Sequence, residues 1–168
     1  MLPAAKTSQV QFNFCNDSQN PTTGTFGMAY RGRYNVGGTQ SGTYTAIIYN
    51  PITIRRVIMT TNGDEYTGGT FEARLSLGPK DVGLTEVYNS GVIPFADWVF
   101  QASFSSGSRQ DSCQWVSPVL DIYLFATPLN PRFLGARFVG ASITGSPEGV
   151  GLTVIADMED DIGSSNQY

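Results

Sequence analysis

Thr70-Phe71-Glu72-Ala73-Arg74-Leu75-Ser76-Leu77 is the stretch that decides the fold. Phe71, Ala73, Leu75 and Leu77 fall on one side of an extended chain and Thr70, Glu72, Arg74 and Ser76 on the other, because successive side chains of a strand point to opposite faces. Such a segment is a half-buried strand. The same two-residue period returns in Val10, Phe12 and Phe14, in Phe26, Met28 and Tyr30, in Trp98, Phe100, Ala102 and Phe104, and in Val150, Leu152, Val154 and Ala156. Between these lie β-branched runs over 43–49, 52–61, 119–125 and 133–143, suited to strands buried on both faces.

No window sustains a 3.6-residue period over three turns, and Ala, Leu, Glu and Lys are too thinly spread for a long helix. The expected fold is all-β, a jelly-roll-like antiparallel β-sandwich of about 8–10 strands with little or no helix. At most one short helical turn is expected. Its candidates, Pro79-Lys80-Asp81-Val82 and the stretch around Pro128-Leu129-Asn130-Pro131, read better as turns.

Pro51 separates two strand patterns and cannot donate to a ladder, so it marks a corner between strands or an edge position. Asn62-Gly63-Asp64 and Thr67-Gly68-Gly69 carry positive-φ chemistry between two strand patterns, which predicts one long hairpin loop. Segment 35–42, with three glycines, reads as an exposed loop. No internal repeat or linker divides the 168 residues, so one domain is expected over 9–162, between a flexible arm at 1–8 and a flexible tail at 163–168.

Ten Phe, eight Tyr and two Trp give too much burial potential for a disordered chain. Charged residues are only 14% of the total, with 19 Gly and 9 Pro, a balance that suits short strands and many turns. A net charge of −4 and the absence of a basic run argue against direct nucleic-acid binding. Nowhere do eighteen apolar residues run together, and Met1-Leu2-Pro3-Ala4-Ala5-Lys6 lacks the apolar core of a secretion leader, so no membrane partner and synthesis in the cytoplasm are expected.

The chain has no histidine, which removes Ser-His and Cys-His activation and the commonest general base. A Ser-Lys dyad would need Lys6 or Lys80, one in the arm and the other in a turn. Asp97, Asp111, Asp121 and Glu86 stand at or near strand ends without a spacing that sets two across a cleft. Asp157, Glu159, Asp160 and Asp161 lack the spacing and central glycine of a calcium loop and read as a solvated end after the last strand. Cys15 and Cys113 match no zinc or redox spacing and read as buried thiols. No catalytic residue, metal site or cofactor is expected.

Arginine outnumbers lysine eight to two, and its planar fork suits protein interfaces. In Tyr30-Arg31-Gly32-Arg33-Tyr34, alternation sets Arg31 and Arg33 on one face as a cationic stripe. Trp98 and Trp115 are the candidates for a sugar-stacking platform. Trp98 is in register with Phe100 and reads as core, while Trp115 lies in an irregular stretch.

Tyr49-Asn50-Pro51-Ile52-Thr53-Ile54-Arg55-Arg56-Val57, followed by a Gly-rich loop and Thr70-Phe71-Glu72-Ala73-Arg74-Leu75-Ser76-Leu77-Gly78, resembles small jelly-roll proteins of tailed-phage virions. In those, an apolar strand with proline and then Ile-x-x-Val pairs through a turn with a second alternating strand ending in glycine. The resemblance runs from about Thr43 to Ala156 and includes the strand Gly149-Val150-Gly151-Leu152-Thr153-Val154-Ile155-Ala156. It implies a virion structural role as a capsid cement or decoration protein, binding major capsid protein subunits as a homo-oligomer, by family habit a trimer. Arg31, Arg33, Leu2 and Lys6 are then the expected interface residues. The alternative is a carbohydrate- or receptor-binding sandwich module of a phage tail or fibre.

Overall fold

A computed structural model describes residues 6–19, 23–25, 27–28, 45–62, 66–80, 82–101, 112–145 and 147–160. Its long strands follow the alternating stretches. One sheet runs in the order β3 (Gly27–Met28), β1 (Thr7–Gln19), β13 (Glu148–Glu159), β5 (Ile52–Asn62), β10 (Ser112–Val116) and β9 (Val99–Gln101), with β11 (Ile122–Leu124) also on β5. The other is built on β12 (Arg132–Gly145) and β6 (Tyr66–Gly78). β2 (Thr23–Thr25) and β4 (Thr45–Ile48) pair with β12, and β7 (Thr85–Asn89) and β8 (Ile93–Pro94) pair with β6.

Every pairing is antiparallel, and the long neighbours β1·β13, β13·β5 and β12·β6 are remote in sequence. This is the order of a jelly roll, in which the chain passes repeatedly between two packed sheets. The inner faces meet in one core. Phe14, Met59, Leu152 and Val154 come from the first sheet, and Phe71, Leu75, Leu134 and Phe138 from the second, all at most 1% exposed. The thirteen strands among the described residues exceed the expected eight to ten because short pieces flank the long strands.

Several expectations are corrected. The predicted hairpin between β5 and β6 is not formed: β5 lies in the first sheet and β6 in the second, so the chain crosses the sandwich between them. The pairing implied by the phage-protein resemblance is therefore missing at those two strands. Thr67-Gly68-Gly69 lies inside β6, opposite an irregularity in β12. Gly69 has φ 98°, and a Cβ there would come within 2.6 Å of the Ser142 carbonyl oxygen, so the glycine chemistry serves a distorted ladder rather than a loop.

The helical turn is a 3-10 turn at Phe95–Asp97, whereas Pro79 and Lys80 and residues 128–130 form bends. Thr7 and Ser8, expected in the arm, pair with Glu159 and Met158, because β13 runs on far enough to offer them a ladder. Of the expected strand over 119–125, only Ile122–Leu124 is paired. Trp98 precedes β9 rather than opening it. Segments 35–42 and 163–168 lie outside the described residues. Pro51 stands at a corner: Ile48 ends β4 in one sheet and Ile52 begins β5 in the other.

In β5 the inward residues are Ile52 and Ile54, then Val57, Met59 and Thr61. The parity changes at Arg55-Arg56, where the register with β13 shifts, since Ala156 faces Ile54 and Ile155 faces Arg56. One residue is inserted, which is a β-bulge that turns two consecutive arginines outward. Beside the bulge the pairing of β10 stops and that of β11 has not begun. Ser117 fills the gap: its N–H donates to the Val57 carbonyl (2.9 Å), and its hydroxyl accepts from the Val57 N–H (2.9 Å). The second sheet repeats the device. Ser90, between β7 and β8, donates its N–H to the Ala73 carbonyl (2.9 Å) and accepts from the Ala73 N–H at its hydroxyl (2.9 Å).

Candidate interaction surface

Of the residues singled out for an interface, Arg31, Arg33 and Leu2 lie outside the described residues. Lys6 is exposed just before β1, and its carbonyl accepts a hydrogen bond from the Asp160 N–H (2.8 Å). Three of the described arginines, Arg55, Arg56 and Arg74, serve local roles. Arg55 spans two carboxylates on the outer face of the first sheet, with Nε 2.8 Å from Asp157 Oδ2 and Nη1 2.6 Å from Asp121 Oδ1. The hydrogen bond to Asp157 is the main reason its guanidinium is even more basic than usual. Arg56 donates to the Ser117 carbonyl (3.0 Å), and Leu120 donates its N–H to the Arg55 carbonyl (2.7 Å). Segment 117–121 is thus fastened to the bulge. On the second sheet Arg74 contacts Glu72 (2.9 Å) and Glu86 (3.8 Å).

These pairs take up two of the four acids considered for catalysis. Asp121 is taken up by Arg55 and Glu86 stands beside Arg74, in different sheets, while Asp97 is exposed in the 3-10 turn and Asp111 lies outside the described residues. The acidic end also differs from expectation. Asp157 and Glu159 belong to β13, paired with Thr53 of β5 and with Thr7 of β1 respectively, rather than following the last strand. Among the described residues no group of three or more His, Cys, Asp or Glu side chains is arranged to hold a metal ion.

Trp98 is core, 4% exposed, and meets the Tyr66 ring edge-on at 5.3 Å. Trp115 is the correction: it lies on β10 opposite Met59, half-buried against the core, so neither indole forms a surface platform. Cys113 is buried and Cys15 half-buried, and neither is in a disulfide. Burial pushes the Cys113 thiol up to about 12. Cys113 stands opposite inward Thr61, whereas Cys15 adjoins inward Phe14 and so points the other way, with β13 and β5 between them.

The exposed apolar surface lies elsewhere, in residues the sequence reading did not single out. Ile48 pairs with Arg132 in the second sheet, and Ile52 pairs with Leu124 in the first. The two connections between the sheets, 49–51 and 125–131, therefore share anchors at both ends and form one corner of the sandwich. Tyr49 and Phe125 are 52% and 60% exposed on it. Thr127 and Asn130 close a turn by reciprocal backbone hydrogen bonds of 3.2 and 3.1 Å, holding Leu129 out at 92% exposure. Ile47 and Tyr123, on the strands leading to the corner, are also exposed. A sequence signal existed, since Leu129 sits in a turn between Pro128 and Pro131 and has no strand face on which to be buried.

Glu159 donates its N–H to the Pro51 carbonyl (2.9 Å), which brings the end of β13 to the same corner. The Tyr123 phenol is pushed up first by loss of solvation and then by the charge of Glu159. No protein-family model matches the chain, and no curated protein sequence matches it. The fold offers a two-sheet sandwich with Asp121, Asp157, Glu72 and Glu86 beside arginines and an apolar corner in solvent.

Proposed function

We propose that the protein is a non-enzymatic virion structural component, a cement or decoration protein that attaches to the outside of a double-stranded DNA phage head and bridges major capsid subunits. The observation that carries an assembly role is the corner of Tyr49, Phe125 and Leu129, exposed on short connections tied down at both ends. Rings and aliphatic side chains presented without mobility are what protein interfaces use at their centres. The virion context rests on the resemblance, and the jelly-roll strand order supports it. The net charge of −4 favours an outer position over contact with the genome.

A carbohydrate- or receptor-binding module of a tail or fibre is the second reading, favoured by the half-exposed rings of Tyr49, Tyr123 and Phe125. The deciding experiment is co-sedimentation with capsids lacking this protein, alongside a glycan array. Saturable binding to capsids, weakened by replacing Arg31 and Arg33 together with alanine, is the expected result. Failure to bind capsids combined with saturable binding to one defined glycan would establish the second reading instead.

A further inference from the structure

The outer face of the first sheet holds a broad uncharged field. Register sets Asn13, Thr153, Ile58 and Val116 side by side across β1, β13, β5 and β10. The next row is Cys15, Gly151, Thr60 and Gln114, and Val99 of β9 continues it beside Gln114. These positions alternate with inward Phe14, Leu152, Met59 and Cys113, so they face outward. Val99 and Val116 are 64% and 37% exposed, and Asn13 and Thr60 are exposed too. The Thr153 hydroxyl donates to Asn13 Oδ1 (3.0 Å), and Thr60 leans over Gly151, where a Cβ would come within 2.8 Å of its hydroxyl oxygen.

Charge begins only at the border of this field and is held there. Arg56, in the row of Gln11 and Ile155, donates to the Ser117 carbonyl, and Arg55 lies between Asp157 and Asp121. Roughly a quarter to a third of a soluble protein's surface residues are charged, so two whole rows without a charge are unusual. Nucleic acid and an anionic membrane both need cations that the two rows lack. A second copy brings the same uncharged field, with no like charges to oppose it, and a two-fold contact is the commonest way for one patch to meet itself. Five strands about 4.8 Å apart, with rows about 7 Å apart along them, give a footprint on the order of 350 Å2. A rim one residue wide brings it to the roughly 800 Å2 that a stable interface covers on each partner.

We propose that two copies of the chain pack face to face through the outer face of the first sheet, about a two-fold axis that runs across the strands. That axis lays β5, β10 and β9 of one copy over the same strands of the other, so the apolar side of the field, Ile58, Val116 and Val99, covers its counterpart, and the polar side, Asn13 and Thr153, does likewise. The contact is one of sheet on sheet and adds no strand to either. It goes beyond the cement reading, holds whether or not the protein attaches to a capsid, and leaves the corner of Tyr49, Phe125 and Leu129 to another partner. It also puts a two-fold contact in place of the trimer implied by the resemblance.

Light scattering on a size-exclusion column over a concentration series reads the state directly. The wild type reaches twice the 18.1 kDa of the chain. Val116→Asp and Val116→Lys, at an exposed outward side chain, keep the circular dichroism of the wild type. Each weakens the dimer by roughly tenfold or more, because a charge of either sign is then buried against an apolar partner. Val92→Asp is the control: Val92 is 68% exposed between β7 and β8, away from the first sheet, and its replacement leaves the dimer unchanged. A wild type that is monomeric or trimeric throughout, a Val116→Asp protein that dimerises as before, or a Val92→Asp protein that loses the dimer equally overturns the proposal. A monomeric wild type that binds a neutral glycan and loses it in Val116→Asp overturns it as well and gives the field to sugar. Capsid co-sedimentation of the same proteins keeps the two readings apart: a monomer that binds capsids removes the two-fold contact alone, and a dimer that binds none removes the cement role alone.

Discussion

Ser117→Ala removes one oxygen atom at the point where a hydroxyl replaces strand pairing. Ser117 is 1% exposed and Val57 is fully buried, so the Val57 N–H that donates to Ser117 Oγ has no route to water once the hydroxyl is gone. The Ser117 N–H still reaches the Val57 carbonyl, and the hydroxyl's own donation to the Pro118 carbonyl (2.8 Å) is lost at an exposed residue that water can reach, so the cost comes mainly from one orphaned buried donor. Such a loss costs about 1–3 kcal/mol, and a value of about 2 kcal/mol lowers the midpoint of a domain this size by roughly 4–8 °C. Ser90→Ala is the internal control. The bond to Ala73 has the same length, 2.9 Å, but Ser90 is only half-buried, so water can replace its hydroxyl and the cost falls to about 0.5–1 kcal/mol. Urea unfolding followed by tryptophan fluorescence, with buried Trp98 as reporter, measures both. If Ser117→Ala stays within about 0.5 kcal/mol of wild type, or if Ser90→Ala costs more, the serine does not act as a surrogate for strand pairing.

Phe138→Ala removes a fully buried ring that meets Phe71 edge-on at 6.1 Å, and is expected to cost about 3–5 kcal/mol in the same urea experiment. Arg55→Met, removing both carboxylate contacts at a side chain 42% exposed, should leave the urea midpoint close to that of the wild type, with Asp157→Asn lowering it more than Asp121→Asn because Asp121 is 83% exposed; the reverse order would refute this reading. Cys113 loses its proton near 9.0 in the unfolded chain and only at about 12 when folded, and Tyr66 moves from 10.0 to about 12, mainly through burial. Their contribution to stability is therefore complete below about pH 9 and falls as pH rises towards 12, so the urea midpoint should decline over that window. In the native protein Cys113 should resist a thiol reagent near neutral pH, and both cysteines should react in denaturant without reductant.

Alternation made the long strands legible because a half-buried strand writes its two faces into consecutive residues. Phe71, Ala73 and Leu75, and Val150, Leu152, Val154 and Ala156, are buried as their spacing requires. The bulge at Ile54-Arg55-Arg56-Val57 was hidden, because 52–61 reads as one strand buried on both faces. Partner choice was not legible. The glycines at 68 and 69 signal a departure from a regular strand without signalling whether the chain folds back in one sheet or crosses to the other. β10 escaped notice because Cys113 and Trp115 give only two inward positions. The interaction surface was missed for a related reason: Tyr49, Phe125 and Leu129 belong together only after two remote strand pairs, Ile48 with Arg132 and Ile52 with Leu124, have formed.

The interruptions at Ser90 and Ser117 bear on how the protein behaves when crowded. An unpaired strand edge is a template to which any extended chain can add, and a long flat one invites open-ended polymerisation. Here several flanking strands are short: β11, paired with β5, has three residues, and β8 and β7, paired with β6, have two and five, while Pro94 and Pro118 lack the amide hydrogen that a growing ladder would need. On those flanks, strand-by-strand growth meets a dead end within a few residues. Many copies can then be held side by side at high local concentration and stay separate molecules, joined only where their side chains match.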